Sequence, residues 1–491
     1  MSTNTSKIVS GTFWTSFSTI VTAVVQILRL SILTRFLDSA AFGIVAILTL
    51  ILGLTNTFAD LGFAAAIMHK QDITRRQFSS LYWIQFSLYV LIYLIISALS
   101  LPISKFYNHE ELTTLLHIVL LDLIFYGIGR LYETLLLKKF QYKILSIRNI
   151  VCCILSLFVA FGFAFKGWGV YSLIFSTLSQ TLTLNIWNFV AGQKYIKLKL
   201  CYDIKSNINL IKIGLYQTGS QILDYLSTKL DILILGKVLD TSDLGIYSLA
   251  KELVTKVYSL TNGIINKVLL PIFSTIQDDL AKVQTYYCRL LQTVGLLNFF
   301  LYMFMGVFAA QITNIIYGNG YNAVVPILKI LSIWGLFSSI GNPIGNIVVA
   351  FGRTDKSFLY TVIRIVIYTP IIWYFATKGL TAMSISQVAL NFLFIIVAYR
   401  IILKPIIKLQ WSRWLKSFLP MSIITSTIII VGFDINTFLI NNGESILIFF
   451  FWGVSFCLVY ALASYICYKN LLSSIFSPIM AKVRKRLKAR I

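Results

Sequence analysis

Ile32-Leu33-Thr34-Arg35-Phe36-Leu37-Asp38-Ser39-Ala40-Ala41-Phe42-Gly43-Ile44 returns later in the chain as Ile234-Leu235-Gly236-Lys237-Val238-Leu239-Asp240-Thr241-Ser242-Asp243-Leu244-Gly245-Ile246. The constant offset is 202 (234 − 32), and Ile32, Leu33, Leu37, Asp38, Gly43 and Ile44 are matched by identical residues. Carried back into the preceding apolar segment, the same offset superimposes Thr15, Ser18, Thr19, Thr22, Gln26 and Arg29 on Gln217, Ser220, Gln221, Asp224, Thr228 and Asp231. Spacings of three, four and seven residues place each set on one face of a helix. A helix that crosses lipid avoids such a face unless it lines a cavity or a packed bundle interior. Two six-helix lobes, each opening with a polar-striped helix, form the layout expected of a transporter.

Composition supports membrane residence. The chain has 491 residues, of which 57% are hydrophobic and 12% charged, and its mean hydropathy is +0.81. A water-soluble protein has no core large enough to hide that much apolar surface. About fourteen segments approach the length needed to span hydrocarbon: 10–32, 41–67, 78–101, 112–137, 146–166, 169–190, 208–235, 243–268, 288–309, 323–351, 357–377, 380–402, 415–433 and 445–467. The expected fold is therefore an all-α integral membrane protein. Two parallel-repeat six-helix lobes surround a central cavity, and two extra helices follow them. The boundaries are 1–195 for the N-lobe, 206–405 for the C-lobe, 410–470 for the extra pair and 471–491 for a basic tail.

The net charge of +24 does not point to nucleic acid, because its distribution follows the membrane. With the N-terminus inside, about 30 of the 42 Lys and Arg fall on inner loops and tails. Clusters include Lys138/Lys139/Lys143/Arg148, Lys194/Lys197/Lys199/Lys205 and Arg400/Lys404/Lys408/Arg413/Lys416. This asymmetry predicts an even number of spans, cytoplasmic termini and contact with anionic membrane lipid. None of the six cysteines falls in an outside loop, so no disulfide is expected. The apolar stretch from Phe13 onward is too long for a signal peptide and reads as the first span.

Ionisable residues inside spans mark functional candidates, because each costs about 2.5–3.5 kcal/mol on insertion scales. Arg29, Asp60, Asp224, Asp231 and Lys251 lie on the faces shared by the two repeats. Arg364 interrupts the eleventh span, and Tyr258 follows Lys251 along the eighth. Each has a blander reading. Glu252 and Lys256 are four apart and suited to mutual neutralisation; Asp122 and Glu133 share a helix with Arg130, and Asp231 is a candidate ion-pair partner of Arg29. The histidines His69, His109 and His117 lack metal-ligand spacing. No phosphate-binding loop or nucleophile elbow is present, so neither cofactor nor catalytic centre is expected.

Several stretches carry a family resemblance: Phe58-Ala59-Asp60-Leu61-Gly62-Phe63, then Ser79-Ser80-Leu81-Tyr82-Trp83, Leu136-Leu137-Lys138-Lys139-Phe140-Gln141-Tyr142-Lys143, Gly167-Trp168-Gly169-Val170-Tyr171 and Gly245-Ile246-Tyr247-Ser248-Leu249-Ala250. In order and spacing they resemble Wzx-type polysaccharide flippases of the TuaB/WzxC-like branch, within the multidrug/oligosaccharidyl-lipid/polysaccharide exporter superfamily. The likeness extends through about residue 270. It implies alternating access, a bacterial inner-membrane location and an undecaprenyl-diphosphate-linked oligosaccharide as substrate, with other polysaccharide-assembly proteins as partners. For such a substrate Arg29 and Lys251 suit the diphosphate, and Thr22, Gln26, Gln217, Gln221, Tyr258 and Arg364 complete the binding set. Asp60, Asp224 and Asp231 are the acids available for ion coupling. A multidrug or cation antiporter of the same superfamily is the alternative, and it would favour those acids over Arg29 and Lys251. A membrane glycosyltransferase or polymerase is disfavoured, because the chain has neither a large outer loop nor a catalytic domain with paired acids.

Overall fold

A computed structural model describes residues 2–69, 73–441, 453–466 and 468, and these are helical with no strand among them. The helices are α1 Ser2–Leu33, α2 Ser39–Asp60, α3 Phe63–His69, α4 Arg75–Ala98, α5 Ser100–Tyr107, α6 Glu111–Val119, α7 Leu121–Lys138, α8 Tyr142–Phe165, α9 Val170–Gln193 and α10 Ile204–Val238. They continue with α11 Thr241–Ile276, α12 Leu280–Val307, α13 Ala309–Tyr317, α14 Val324–Ala350, α15 Thr354–Ala376, α16 Leu380–Ala398, α17 Lys404–Ile407, α18 Trp411–Lys416, α19 Leu419–Asn441 and α20 Gly453–Ile466. A π-helical turn, Tyr399–Leu403, joins α16 to α17. Among the described residues nine segments are long and apolar enough to cross a membrane. Every expected span coincides with helix where it is described, and for 445–467 that means 453–466.

Some expected spans are broken. The second divides after Asp60, where Leu61 and Gly62 adopt φ of 44° and 60°. Two left-handed residues cannot continue a right-handed helix. They turn α3 so that Phe63 and Ile67 enter a core with Phe78, Leu81, Tyr82, Leu131, Tyr132 and Leu135. The fourth divides at Leu120, between α6 and α7. Long helices such as α1 and α8 keep an outward apolar stripe. Phe13, Phe17, Ile20, Val24 and Leu28 on α1 are exposed, as are Val151, Ile154, Phe158, Phe161 and Phe165 on α8. Helical spacing of exposed large side chains is what a lipid-facing surface requires.

The chain divides into two compact units. The first comprises Met1–Leu249, Asn314–Tyr321 and Thr369–Leu380; the second comprises Ala250–Thr313, Asn322–Tyr368 and Thr381–Ile491. Within the first, α2 and the start of α11 cross backbone to backbone. A Cβ on Gly43 would stand 1.9 Å from the Thr241 carbonyl oxygen, and one on Gly245 would stand 1.7 Å from the Ser39 carbonyl oxygen. Ser39 and Thr241 are repeat-mates, as are Gly43 and Gly245, so each repeat makes the same contact on the other. Ser39 and Ser242 hydroxyls meet beside it at 2.7 Å.

The first unit also buries a charge network at the end of α2. Arg130 forks onto Asp60, with Nε to Oδ1 at 3.0 Å and Nη2 to Oδ2 at 3.3 Å. Gln85 donates to the same Oδ1 at 3.1 Å. Arg130 Nη1 reaches Glu133 at 3.4 Å, and Arg148 Nη2 reaches the other oxygen of Glu133 at 3.0 Å. Arg148 also donates to Asn149 and Asn188. Grouped by sequence with the surface cations, Arg148 is instead 2% exposed. Two acids and two guanidinium groups leave the network neutral, which is how charge is tolerated in a dry interior.

Lys-rich 194–203 is tied to α4 rather than loose. Ser79 and Ser80 hydroxyls accept from the Lys199 and Asp203 amides at 3.1 and 2.8 Å. The Trp83 indole donates to the Lys199 carbonyl at 3.1 Å, and Arg76 pairs with Asp203 at 3.0 Å. The Ser-Ser-Leu-Tyr-Trp stretch is thus a clamp for the segment preceding α10. In the second unit α12 packs on α14 and α19. Gly306 receives Ile429, and Tyr460 on α20 donates to the Leu296 carbonyl at 2.7 Å. The pair α19 and α20, expected to have no repeat counterpart, is therefore built onto α12.

Gly43→Val and Gly245→Val each drive a side chain into a carbonyl, and neither can be absorbed by a rotamer change. Each is expected to cost about 2–4 kcal/mol, read as a lowered melting temperature of purified protein in detergent; an unchanged melt would show that α2 and α11 do not touch. Arg148→Met strands Glu133 and Asn188 and is expected to cost about 3–5 kcal/mol. Arg148→Met with Glu133→Gln should recover part of that loss in the same assay, whereas additive losses would deny the pairing.

Candidate functional site

In the first unit the stripe on α1 is largely satisfied close to home. Thr19 and Thr22 hydroxyls bond carbonyls one turn back, at 2.8 and 2.7 Å, and Ser18 turns onto α8, donating to the Ser146 carbonyl at 3.2 Å. Serine and threonine use this back-bonding when no better acceptor is near. Gln26 is half-buried and engaged. Arg29 reaches across to α9, where Nη1 stands 3.4 Å from Gln180 Oε1. The cation is therefore steadied by a neutral amide.

The repeat-related stripe on α10 differs. Asp231 is 2% exposed and accepts from the Tyr247 hydroxyl at 2.5 Å and the Ile232 amide at 2.9 Å. Arg29, the candidate ion-pair partner of Asp231, stands on Gln180 of α9 instead. Asp224, one helical turn pair earlier, is exposed, and Thr228 bonds its carbonyl at 3.0 Å. Gln221 is half-buried, while the side chain of Gln217 lies outside those described. Tyr225 crosses to α2, donating to the Leu50 carbonyl at 3.0 Å. Gly53 makes room for it, since a Cβ there would lie 2.1 Å from the phenol oxygen.

Asp60 sits in the fork of Arg130 and is 8% exposed. Asp122 does not join that network. It is 4% exposed beside a cavity of about 30 Å³ walled by Thr49, Leu52, Val119 and Thr177. Its Oδ1 and the Oδ1 of nearby Asn56 have no hydrogen-bond partner.

In the second unit, Lys251 places its Nζ 3.4 Å from the centroid of the Trp334 ring and 3.4 Å from Gln387 Oε1. An ammonium on an indole face is attracted electrostatically by the ring. Seven residues on, Tyr258 donates to Asn342 Oδ1 at 3.2 Å, and Asn342 donates to Asn262 Oδ1 at 3.1 Å. Arg364 lies 5.8 Å over the Tyr368 ring, with its Nε buried and lacking a hydrogen-bond partner. Glu252 and Lys256 neutralise one another at 3.7 Å, as their spacing suggested. Gln180, Trp334 and Gln387 were not singled out by sequence. The available signal was weak: Gln387 is one amide within Met383–Leu390.

The chain matches the family model described as polysaccharide biosynthesis protein over residues 32–326, more than half its length. It is 25% identical over 437 residues to the lipopolysaccharide biosynthesis protein WzxC of Escherichia coli (strain K12), covering 86% of this chain and 87% of that one. It is 26% identical over 440 residues to the teichuronic acid biosynthesis protein TuaB of Bacillus subtilis (strain 168), covering 88% and 89%. The fold is similar to that of a solved structure of the lipid II flippase MurJ (inward closed conformation), with a TM-score of 0.66 at 15% identity over 96% of this chain and 100% of that one. A multi-pass helical chain with polar faces running through its spans thus finds its place: it belongs to the polysaccharide biosynthesis protein family.

Proposed function

We propose that this chain is a flippase, not an enzyme, that moves an undecaprenyl-diphosphate-linked oligosaccharide from the cytoplasmic to the outer leaflet of the bacterial inner membrane by alternating access. Both termini lie in the cytoplasm in this reading, as the Lys/Arg asymmetry requires. The observation that carries it is the state of the intramembrane arginines. Arg29 is met by Gln180 and Arg364 by the Tyr368 ring, so among the described residues neither is neutralised by an acid. A span tolerates a cation so held when an anion arrives to meet it, and a diphosphate does so with charge-assisted hydrogen bonds. Lys251, set against the Trp334 ring and Gln387, is the other cation that we assign to the substrate.

Hydroxyl and amide groups at Thr22, Gln26, Gln217, Gln221 and Tyr258 exchange for water around the sugars, while the polyprenyl tail stays in lipid. Relatives named for lipopolysaccharide and teichuronic acid biosynthesis and the lipid II flippase fold support this substrate class. Other polysaccharide-assembly proteins supply the substrate and take the product. Transport is driven by an ion gradient or the membrane potential. Of the three acids considered for coupling, Asp60 and Asp231 are 8% and 2% exposed. Asp224, exposed on α10, is the one we assign to coupling.

Arg29→Ala, Lys251→Ala and Arg364→Ala are each expected to lower translocation of a lipid-linked oligosaccharide in proteoliposomes at least tenfold, with melting temperatures near wild type. Arg29→Lys should retain part of the activity. Full activity in all three alanine variants would remove the diphosphate role. Asp224→Asn should flatten the pH dependence of the transport rate, and an unaltered pH profile would exclude Asp224 as the coupling acid.

A further inference from the structure

The second unit holds a strongly basic pocket that the translocation reading leaves unused. It opens along the first turns of α12 and where α18 bridges α17 to α19, near the starts of the expected spans 288–309 and 415–433. Its volume is about 510 Å³, and Arg289, Arg413 and Lys416 line it together with Thr285, Gln292 and Ser412. No acid is among its lining residues, and neither Arg289 nor Lys416 is in an ion pair among the described residues.

The pocket is built rather than incidental. Arg413 Nη2 donates to Thr285 Oγ1 at 2.9 Å, and its Nη1 stands 3.5 Å from Gln284 Oε1. Gln284 is itself fixed, its Nε2 donating to the Ile407 carbonyl at 2.8 Å. The backing of α18 is equally firm. Trp414 is fully buried and stacks on Tyr399 with ring centroids 4.7 Å apart, and Tyr468 donates to the Ser417 carbonyl at 3.0 Å. With Trp414 turned inward, Arg413 and Lys416, three apart, fall on the opposite side of this short helix. Arg289 is one turn along α12 from Thr285 and faces the same space. Trp411, 38% exposed at the start of α18, is of the type that anchors at a membrane–water interface.

Three cations converging without an acid repel one another, and an anion with several oxygens relieves that repulsion. Guanidinium groups favour phosphate oxygens, to which they donate in pairs. A pocket of this size accepts a headgroup-sized ligand, and its place near the starts of two expected spans, beside the exposed Trp411, favours a lipid as the donor of the phosphate. We propose that this pocket binds the phosphate-bearing headgroup of an anionic lipid and thereby fastens α18 to the membrane surface. The site is separate from the residues assigned to substrate, and the proposal stands or falls independently of the flippase reading.

The test uses the full-length chain in nanodiscs of phosphatidylcholine, with or without phosphatidylglycerol. The readouts are melting temperature and phosphatidylglycerol retained in native mass spectrometry. The triple variant R289Q/R413Q/K416Q should lose more than half of the phosphatidylglycerol-dependent melting shift and retain less of that lipid. The control K404Q/K408Q removes exposed charge just outside the pocket and should behave as wild type. A triple variant indistinguishable from wild type, or a control that loses as much, would overturn the proposal by showing that charge at this surface acts diffusely. Inorganic pyrophosphate added to phosphatidylcholine discs should have no effect; reproduction of the full shift would overturn the lipid assignment in favour of a soluble phosphate. If the triple variant does not fold, R289Q alone carries the same comparison, since Arg289 holds no side-chain hydrogen bond among the described residues.

Discussion

The close approach of Gly43 to Gly245 is the constraint on which the first unit depends. Two helices can meet through their backbones only where side chains are absent, and here a single Cβ on either would lie within 2 Å of a carbonyl oxygen. In a bilayer no hydrophobic effect drives helices together, so small residues that permit intimate van der Waals contact take over that role. The contact is reciprocal: the repeat-mate of each residue in it is also in it. An ancestral helix that packed on its own copy would leave this signature, and the internal repeat is thereby a packing fact as well as a sequence fact. It also gives a physical reason for glycine at this position of both halves.

Satisfaction of polar groups without water shapes everything else. In the first unit, charge is disposed of by neutralisation: Asp60, Arg130, Glu133 and Arg148 consume one another's valences through Gln85, Asn149 and Asn188. The hydroxyls of α1 spend themselves on their own helix. What is left over is informative. Arg29 and Arg364 rest on a neutral amide and an aromatic ring, respectively, arrangements that hold a guanidinium without discharging it. Residues poised in this way are the ones with something left to offer a ligand, whereas residues in complete ion pairs are chiefly architectural.

The same distinction separates the two classes of basic residue in the second unit. Lys251 and Arg364 lie within spans, against aromatic rings. Arg289, Arg413 and Lys416 gather at the span ends around a pocket whose walls are tied to the loop after α17. In the proposed readings, charge within the spans meets a passing anion and charge near their ends a resident one. Trp414 and Tyr399 fix α18 firmly enough for that second role.

Hydrophobic length, the 202-residue repeat and the Lys/Arg clusters made the helical membrane architecture readable from the sequence. These properties are additive along the chain, and lipid imposes them on each segment separately. Pairing that follows helical spacing was equally readable: Glu252 and Lys256 meet because four residues make one turn. Tertiary structure alone decided which distant groups meet. Nothing local to Asp231 selects Tyr247 over Arg29, and nothing local to Asp60 selects Arg130, seventy positions away. Arg148 looked like surface charge because its neighbours are Lys139 and Lys143, yet helix rotation turned it inward. Such choices depend on interhelical distance and rotation, which periodicity leaves open; the partner of a buried charge is therefore settled only when the helices pack.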